Sequence, residues 1–503
     1  MIQANYNPDV LTCLANLSND EVFTSPSLVN EILDLLPEEL WKNKETKVLD
    51  PVSKTGVFLR EIAKRFMTGL ESEIPDRQAR INHIFKNQLY GVAITELTSL
   101  LSRRSVYCSK LANGKYSICE AFEDEKGNII YDRTEHIWLN GSCKFCGASQ
   151  GVYDRNDALE THAYQFIHSS KPKSFFKNMR FDVIIGNPPY QLNDGGGTGS
   201  SAKPIYNKFV DQAKKLNPRY LSMIIPARWY SGGKGLDDFR NDMLNDSRIR
   251  HLVDFADSRD CFPGVDIAGG VCYFLWDRDN KGDCQVKTIR KSQSLVSSRN
   301  LSEFGTFIRD NLSIDIVKKI RLDSQTFLDS IVSSRMPFGL VSSVKPKSVG
   351  DLNLITSNGN GKIDSNLITS GHDLIKKWKV LLSKASNDHG GQPDKEGKRR
   401  IFSRIEVMPP NTVCTESYLV VGSYDTEEEA KNMANFLRTR FCRFLVSTIL
   451  LTQNITKGTF THVPLLQMTE LWDDTKLFKK YGITNDEIHF IESVIRPIDL
   501  HNE

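Results

Sequence analysis

One ten-residue segment limits the fold more than any other: Phe181-Asp182-Val183-Ile184-Ile185-Gly186-Asn187-Pro188-Pro189-Tyr190. An apolar run without polar alternation suits a strand buried on both faces, as in parallel sheets covered by helices. Two consecutive prolines then end it. Neither has an N–H to give to a ladder, and each fixes φ near −65°. The chain must leave the sheet as rigid, extended backbone with its carbonyls pointing outward. Four more runs, 47–50, 88–94, 220–226 and 249–255, are also strand-like, each closed by a turn and followed by a helical pattern. Strands alternating with helices predict an α/β fold on a mostly parallel sheet.

The chain has 503 residues, enough for two or three domains. Residues 1–285 carry the alternating pattern and form the first expected domain. Within it, 108–175 is a polar, turn-rich insertion holding four cysteines. Beyond 285 the pattern turns irregular: Ser, Asn, Gly and Lys dominate 342–364, and 384–400 ends in Lys398-Arg399-Arg400. Helices are expected over 426–442, 446–453 and 485–496. The formal net charge of +3 neither identifies nor excludes a nucleic-acid binder, because a basic face can be balanced elsewhere. The N-terminal residues show no signal-peptide pattern. No apolar run approaches the roughly 20 residues that span a bilayer, 444–451 being among the longest. No membrane association is expected. Ten cysteines in such a chain read as cytoplasmic thiols, with room for a metal site, and not as a disulfide framework.

The end of the 181–186 strand carries chemistry. The Asn187 amide and the Pro188 carbonyl, held side by side, make two acceptors for the two hydrogens of an aromatic amine. Pulling those hydrogens out of plane favours the tetrahedral nitrogen of a transition state. Tyr190 offers a flat face to a base extruded from a duplex. The bland alternative is a strand end with a Pro-Pro stop. The run Lys47-Val48-Leu49-Asp50-Pro51-Val52-Ser53-Lys54-Thr55-Gly56 ends a strand and opens a helix. Gly56 lets backbone approach a ligand, and the helix N-terminus can accept a carboxylate. Alone, this is a common strand–turn–helix. Upstream, Phe23-Thr24-Ser25-Pro26 is a capped helix start, with Thr24 or Ser25 as N-cap and Pro26 at the first helical position. Downstream, Tyr90-Gly91-Val92-Ala93-Ile94-Thr95-Glu96 gives a second strand end. Glu96 can accept from ribose hydroxyls or serve the dipole of the following helix.

Taken together, these segments resemble the adenine-specific DNA methyltransferases of restriction–modification systems, over about 20–280. The likeness covers Phe23 to Pro26, Asp50 and Pro51 to Gly56, the 90–96 strand and Asn187-Pro188-Pro189-Tyr190. It continues through Tyr206 and Phe209, Ile224-Ile225-Pro226-Ala227-Arg228-Trp229, Val253-Asp254-Phe255 and Cys261-Phe262-Pro263-Gly264-Val265. The resemblance implies a Rossmann-like catalytic domain, S-adenosylmethionine as donor and direct methyl transfer to N6 of a flipped adenine in double-stranded DNA. It assigns catalysis to Asn187, Pro188, Pro189 and Tyr190. Donor binding falls to Phe23, Thr24, Pro26, Asp50, Pro51, Gly56 and Glu96. It also implies an α+β DNA-recognition domain over 286–503, and a separate restriction endonuclease or helicase chain as a possible partner. Several positions depart from the family pattern. Lys54 stands where glycine is usual, and Val52 and Ser53 replace Cys or Ala types. Ala93 and Thr95 replace acids. Glu160 to Tyr164 occupies the region of the acid that normally contacts the donor's adenine.

Cys143-Lys144-Phe145-Cys146-Gly147 has the spacing of a zinc knuckle. Asn113-Gly114 reads as a hairpin turn that sets Cys108 opposite Cys119. Cys108, Cys119, Cys143 and Cys146 are the expected ligands of a structural zinc, with His136 and His162 in reserve; the alternative is ordinary reduced cysteine. The glycine-rich 195–201 lacks a Gly-Lys-Ser/Thr ending and reads as a flap over the base or as a linker. Lys398, Arg399, Arg400, Arg404, Arg438, Arg440, Arg443 and Lys457 are candidates for phosphate contact, against the alternative of a solvated charged surface. Two rival functions are methylation of RNA or of a protein glutamine, and a DNA-specificity subunit without catalysis.

Overall fold

The computed structural model describes residues 22, 24–154, 161–169, 176, 179–192, 203–290, 293–386, 394, 396–450 and 453–498. The chain divides into two compact units, Met1–Gly305 and Thr306–Glu503.

The first unit is mixed α/β, built on a nine-stranded sheet. Its strands are β1 (Val48–Ser53), β2 (Leu89–Ala93), β3 (Ile129–Ile130), β4 (Val183–Gly186), β5 (Tyr220–Pro226), β6 (Ile249–Phe255), β7 (Val271–Asp277), β8 (Cys284–Arg290) and β9 (Gln293–Arg299). Their order across the sheet is β9-β8-β6-β7-β5-β4-β1-β2-β3. Pairing is parallel between β1 and β2, β1 and β4, β2 and β3, β4 and β5, and β6 and β8. β7 runs antiparallel between β5 and β6, and β9 antiparallel along β8. Every residue of β1, β2, β4, β5 and β7 is buried, which is why these runs lack polar alternation.

The helices of this unit used below are α1 (Pro26–Leu33), α2 (Val57–Gly69), α3 (Arg77–Asn87), α4 (Glu96–Tyr107), α5 (Tyr206–Lys215) and α6 (Asp237–Asn245). α1 and α2 share a core through Leu28, Val29, Ile32, Phe58, Ile62 and Phe66, each worth roughly 1.5–3 kcal/mol when fully buried. Chain order reverses at β1: β2 and β3 lie to one side, β4 and β5 to the other. Ligand crevices in such sheets open at this reversal, outside the carboxyl ends of the strands.

All five runs read from the sequence as strands are strands. β3, β7 and the β8–β9 hairpin were not anticipated. The hairpin matters for the boundary: β8 joins β6 in parallel, so the first unit extends past 285 to Gly305. The Asn113-Gly114 hairpin does not form. α4 continues to Tyr107, Cys108 closes it in a left-handed conformation (φ 62), and Gly114 N–H turns back onto Leu111 O.

The second unit holds β10 (Leu352–Thr356), β11 (Gly359–Ile363), β12 (Trp378–Ser383), β13 (Ile405–Met408), β14 (Thr412–Cys414) and β15 (Tyr418–Tyr424). They form two three-stranded sheets, β11-β10-β14 and β13-β12-β15. Its helices are α7 (Ser313–Asp323), α8 (Glu427–Arg438), α9 (Arg440–Ser447), α10 (Asp474–Lys480) and α11 (Asn485–Val494). The helix expected over 426–442 breaks at Thr439, whose side chain accepts from Cys442 N–H and starts α9. α9 therefore begins well before 446 and ends at Ser447. Among the described residues no helix is long and apolar enough to cross a membrane.

Candidate active site

At the carboxyl end of β1 the chain turns through Lys54 and Thr55 into α2. Gly56 makes the turn at φ +73°, and a Cβ there would lie 2.7 Å from Ser102 Oγ on α4. Asp50 is 3% exposed, and its Oδ1 accepts from Val52 N–H at 3.1 Å. Burial pushes its carboxyl up to about 7, while the Val52 N–H, Ser53 and the Lys54 ammonium draw it back. β4 ends beside it: a Cβ on Gly186 would sit 2.9 Å from Asp50 Oδ1, so only glycine lets the two strand ends meet this closely.

Asn187 follows immediately and is 4% exposed. Its Nδ2 donates to Val22 O at 3.0 Å and to Thr24 Oγ1 at 3.1 Å. Both acceptors lie in the segment entering α1. Ser25, not Thr24, caps that helix, its Oγ accepting from Leu28 N–H at 3.3 Å. This leaves Thr24 for Asn187. With both amide hydrogens used, Oδ1 is left as an acceptor, and it is buried without a hydrogen bond. Leaving such an atom unmet costs about 1–3 kcal/mol, and an orphaned acceptor of this kind calls for an explanation. Lys54 Nζ donates to the same Val22 O at 3.4 Å. Val22, Thr24, Asp50, Lys54, Gly56 and Asn187 line one narrow cleft, of about 20 Å³.

Pro188 and Pro189 are buried. Tyr190 is 9% exposed and packs in the same core as Cys261 and Phe262. Burial pushes its hydroxyl well above the usual phenol range, Cys261 and Cys272 push the same way, and Asn187 draws it back. Other buried polar atoms without a hydrogen bond include Tyr206 OH and Asn207 Oδ1 on α5, and Arg228 Nε just beyond β5. The sequence reading gave Asn207 and Arg228 no role. The available signal was a polar side chain set beside aromatic residues, as in Pro226-Ala227-Arg228-Trp229.

Other expected residues lie elsewhere. Glu96 is exposed at the first position of α4, where Thr95 and Thr98 form a reciprocal cap; it does not line the cleft and suits the helix dipole. Pro26 is exposed at the start of α1, and Pro51 is buried within β1; neither lines the cleft. Phe23, Glu160 and the glycine-rich 195–201 fall outside the described residues.

The cysteines separate into two groups. Cys143 and Cys146 come together with His136 and His168, all four buried, their ligand atoms within 4.8 Å of one another. Cys108 is exposed and Cys119 lies in the core cluster that contains Tyr107. Without the hairpin, nothing brings that pair to the knuckle. His162 is not in the group either; its ring stands 5.8 Å from Tyr153.

In the second unit Arg443 is 1% exposed. Its guanidinium donates to Arg438 O at 3.0 Å and Arg496 O at 2.6 Å. It ties backbone together and cannot reach a phosphate. Arg438 donates to Ile405 O, Arg440 pairs with Glu492, Arg404 with Glu406, and Arg399 donates to Ser447 O. Lys457 is exposed.

Comparison with known proteins bears on this geometry. The family described as Eco57I restriction-modification methylase matches residues 87–262. An uncharacterized adenine-specific methylase of Mycoplasma pneumoniae is 39% identical over 358 residues, 65% of this chain and 84% of the relative. Solved structures resembling the chain include the type IIL restriction-modification enzyme MmeI in complex with DNA, at 9% identity and TM-score 0.47, over 95% of this chain and 76% of that one. A nuclease-deletion mutant of the type ISP enzyme LlaGI with a DNA substrate mimic matches at 11% identity and TM-score 0.46, over 89% and 53%. The DrdV–DNA complex matches at 13% identity and TM-score 0.34, over 53% of this chain and 27% of that one. The chain thus spans about half of the LlaGI chain and about a quarter of the DrdV chain. Its extended match to the Mycoplasma pneumoniae methylase shows that the chain belongs to the adenine-specific methylases of restriction–modification systems.

Proposed function

We propose that the chain methylates N6 of an adenine flipped out of double-stranded DNA, within a restriction–modification or phage-defence system. The observation that carries this reading is the orientation of Asn187: both amide hydrogens are spent on Val22 O and Thr24 Oγ1, and the buried Oδ1 has no partner. An exocyclic amine is what such an acceptor lacks. Asn187 Oδ1 and the Pro188 carbonyl accept its two hydrogens, and those bonds strengthen as the nitrogen becomes tetrahedral. Tyr190 borders the base.

On this reading the first unit is a Rossmann-like methyltransferase domain. S-adenosylmethionine, when bound, supplies an electrophilic methyl group. The residues present fit it. Asp50 offers a buried carboxylate to its cationic groups. The α2 N-terminus beyond Gly56 and the Lys54 ammonium offer positive potential to its carboxylate. Thr24 and Val22 close the cleft. Phe23, Pro26 and Pro51 frame these positions along the chain, and Glu96 is left to a ribose contact only if its helix end shifts. The second unit is assigned to DNA recognition, with Lys457 and Lys398 among its phosphate contacts, and a separate endonuclease or helicase chain completes the system. We also assign a structural zinc ion to the Cys-rich insertion.

The test is methyl transfer from labelled donor to unmodified DNA. Label in N6-methyladenine supports the proposal; label found only in RNA or in a protein glutamine refutes it.

A further inference from the structure

We propose that His136, Cys143, Cys146 and His168 form a closed tetrahedral zinc site that locks the insertion onto the catalytic core beside the base site. The proposal rests on the zinc reading of the insertion and replaces its expected ligand set.

The four side chains are between 4% and 9% exposed. Cys143 and Cys146 have the backbone of a knuckle. Phe145 N–H donates to Cys143 Sγ and Ala148 N–H to Cys146 Sγ, each at 3.4 Å. Gly147 turns the chain at φ +76°, its N–H donating to Cys143 O at 3.0 Å. Amides directed at both sulfurs stabilise thiolates. The strands Trp138–Leu139 and Ser142–Cys143 pair antiparallel, which brings His136 back over the knuckle.

Each imidazole is fixed by its far nitrogen. His136 Nε2 lies 2.8 Å from Thr161 O, and His168 Nδ1 lies 2.8 Å from Tyr164 O. A carbonyl only accepts, so those nitrogens carry the protons. The lone pairs are then on His136 Nδ1 and His168 Nε2, the atoms that face the sulfurs. This is how metal-binding histidines are oriented. His168 Nε2 is buried without a hydrogen bond. Cys146 Sγ and His136 Nδ1 stand 3.5 Å apart; a tetrahedron with Zn–S of about 2.3 Å and Zn–N of about 2.0–2.1 Å sets that edge at about 3.5 Å. Two sulfurs and two imidazoles select zinc among common divalent ions. Four protein ligands leave no position for substrate, so the role is structural.

Both sides of the site reach the catalytic core. Gln212 on α5 donates to Phe166 O at 3.1 Å and Ser169 O at 2.8 Å, holding the segment that carries His168. On the other side, Gly147 O accepts from Lys203 Nζ at 3.5 Å. Lys203 belongs to the short ribbon in which Gln191–Leu192 pairs with Lys203–Pro204, immediately after Tyr190. The metal therefore joins the knuckle that props this ribbon to the segment anchored on α5.

The test is metal analysis of the purified full chain, with a cobalt-substituted form for spectroscopy. Expected are about one zinc per chain in wild type, Cys108→Ser and Cys119→Ser, and less than a tenth of that in Cys146→Ser and His168→Gln. The cobalt form should show tetrahedral absorption with charge transfer from two thiolates, which needs no variant to fold. Wild type that neither retains nor takes up zinc overturns the zinc reading itself. Zinc that is lost in Cys119→Ser, or a cobalt form with four thiolates, overturns this ligand set alone.

Discussion

Asn187 and Thr24 are 163 positions apart in sequence yet 3.1 Å apart in the cleft. On the proposed reading, that bond decides which face of the amide meets the substrate. Asn187→Ala removes the acceptor, and the expected loss in kcat is about 10²–10³, the scale for deleting one preorganised polar contact, with donor affinity little changed in calorimetry. Thr24→Val removes one bond to Nδ2, worth about 1 kcal/mol, and should lower kcat about fivefold; Thr24→Ser should restore it. Asp50 carries a pH dependence. Its carboxyl sits at about 7 in the fold against an ordinary 3.8, because burial resists ionisation. The folded state therefore holds the proton more tightly, and stability falls as pH climbs from 3.8 to about 7, levelling above it. The cationic donor favours the ionised form, so its affinity should rise between pH 6 and 8. Asp50→Asn should flatten that rise and weaken binding about tenfold, or about 1.4 kcal/mol. At this scale the sequence made Asn187 a candidate through the Pro-Pro stop beside it. It could not reveal the bond to Thr24, since contact between distant segments follows from strand order, which no local pattern encodes.

At the scale of elements, the turn from β1 into α2, the proposed donor turn, depends on Gly56. Gly56→Ala would place a side chain at φ +73° and 2.7 Å from Ser102 Oγ. The expected destabilisation is about 1–3 kcal/mol, read as a lower denaturation midpoint, together with loss of donor binding. The parallel strands around this turn were legible because a strand buried on both faces reads as a continuous apolar run followed by a helix. β7 is equally apolar, Val271-Cys272-Tyr273-Phe274-Leu275-Trp276, but it returns antiparallel and has no helix after it to mark it. β8 and β9 were missed because both are mostly polar and form no continuous apolar run, and their membership in the sheet depends on β8 pairing with β6 and β9 with β8. The proposed zinc ligands were half legible. The tight Cys143–Cys146 spacing announces a knuckle. His136 and His168 reach it only through the strands at 138–143 and the anchoring of 161–169. Arg443 shows the opposite failure: as a sequence symbol it is a cation for phosphate, but in α9 it is a buried tie between carbonyls. Arg443→Met leaves those carbonyls unmet and should cost the second unit about 2–4 kcal/mol in urea unfolding.

For the whole molecule, a net charge of +3 is too small to make DNA binding a property of bulk charge, so particular exposed cations must supply it. Lys457→Ala should reduce the salt dependence of DNA affinity, the slope of log K against log salt becoming shallower by about 0.9, without changing stability. The family match extends over much of the first unit, and the second unit has its own core around Phe338, Leu354, Leu381 and Val420. Its assignment to target recognition stands or falls on substrate choice. Transfer of tritiated methyl from S-adenosylmethionine to unmodified double-stranded DNA, with wild type beside Asn187→Ala, addresses both units at once. Label in N6-methyladenine that disappears in Asn187→Ala, while that variant still binds the donor, is the predicted result. Label that persists in Asn187→Ala, or donor binding by wild type with no label entering DNA of any sequence, would contradict it.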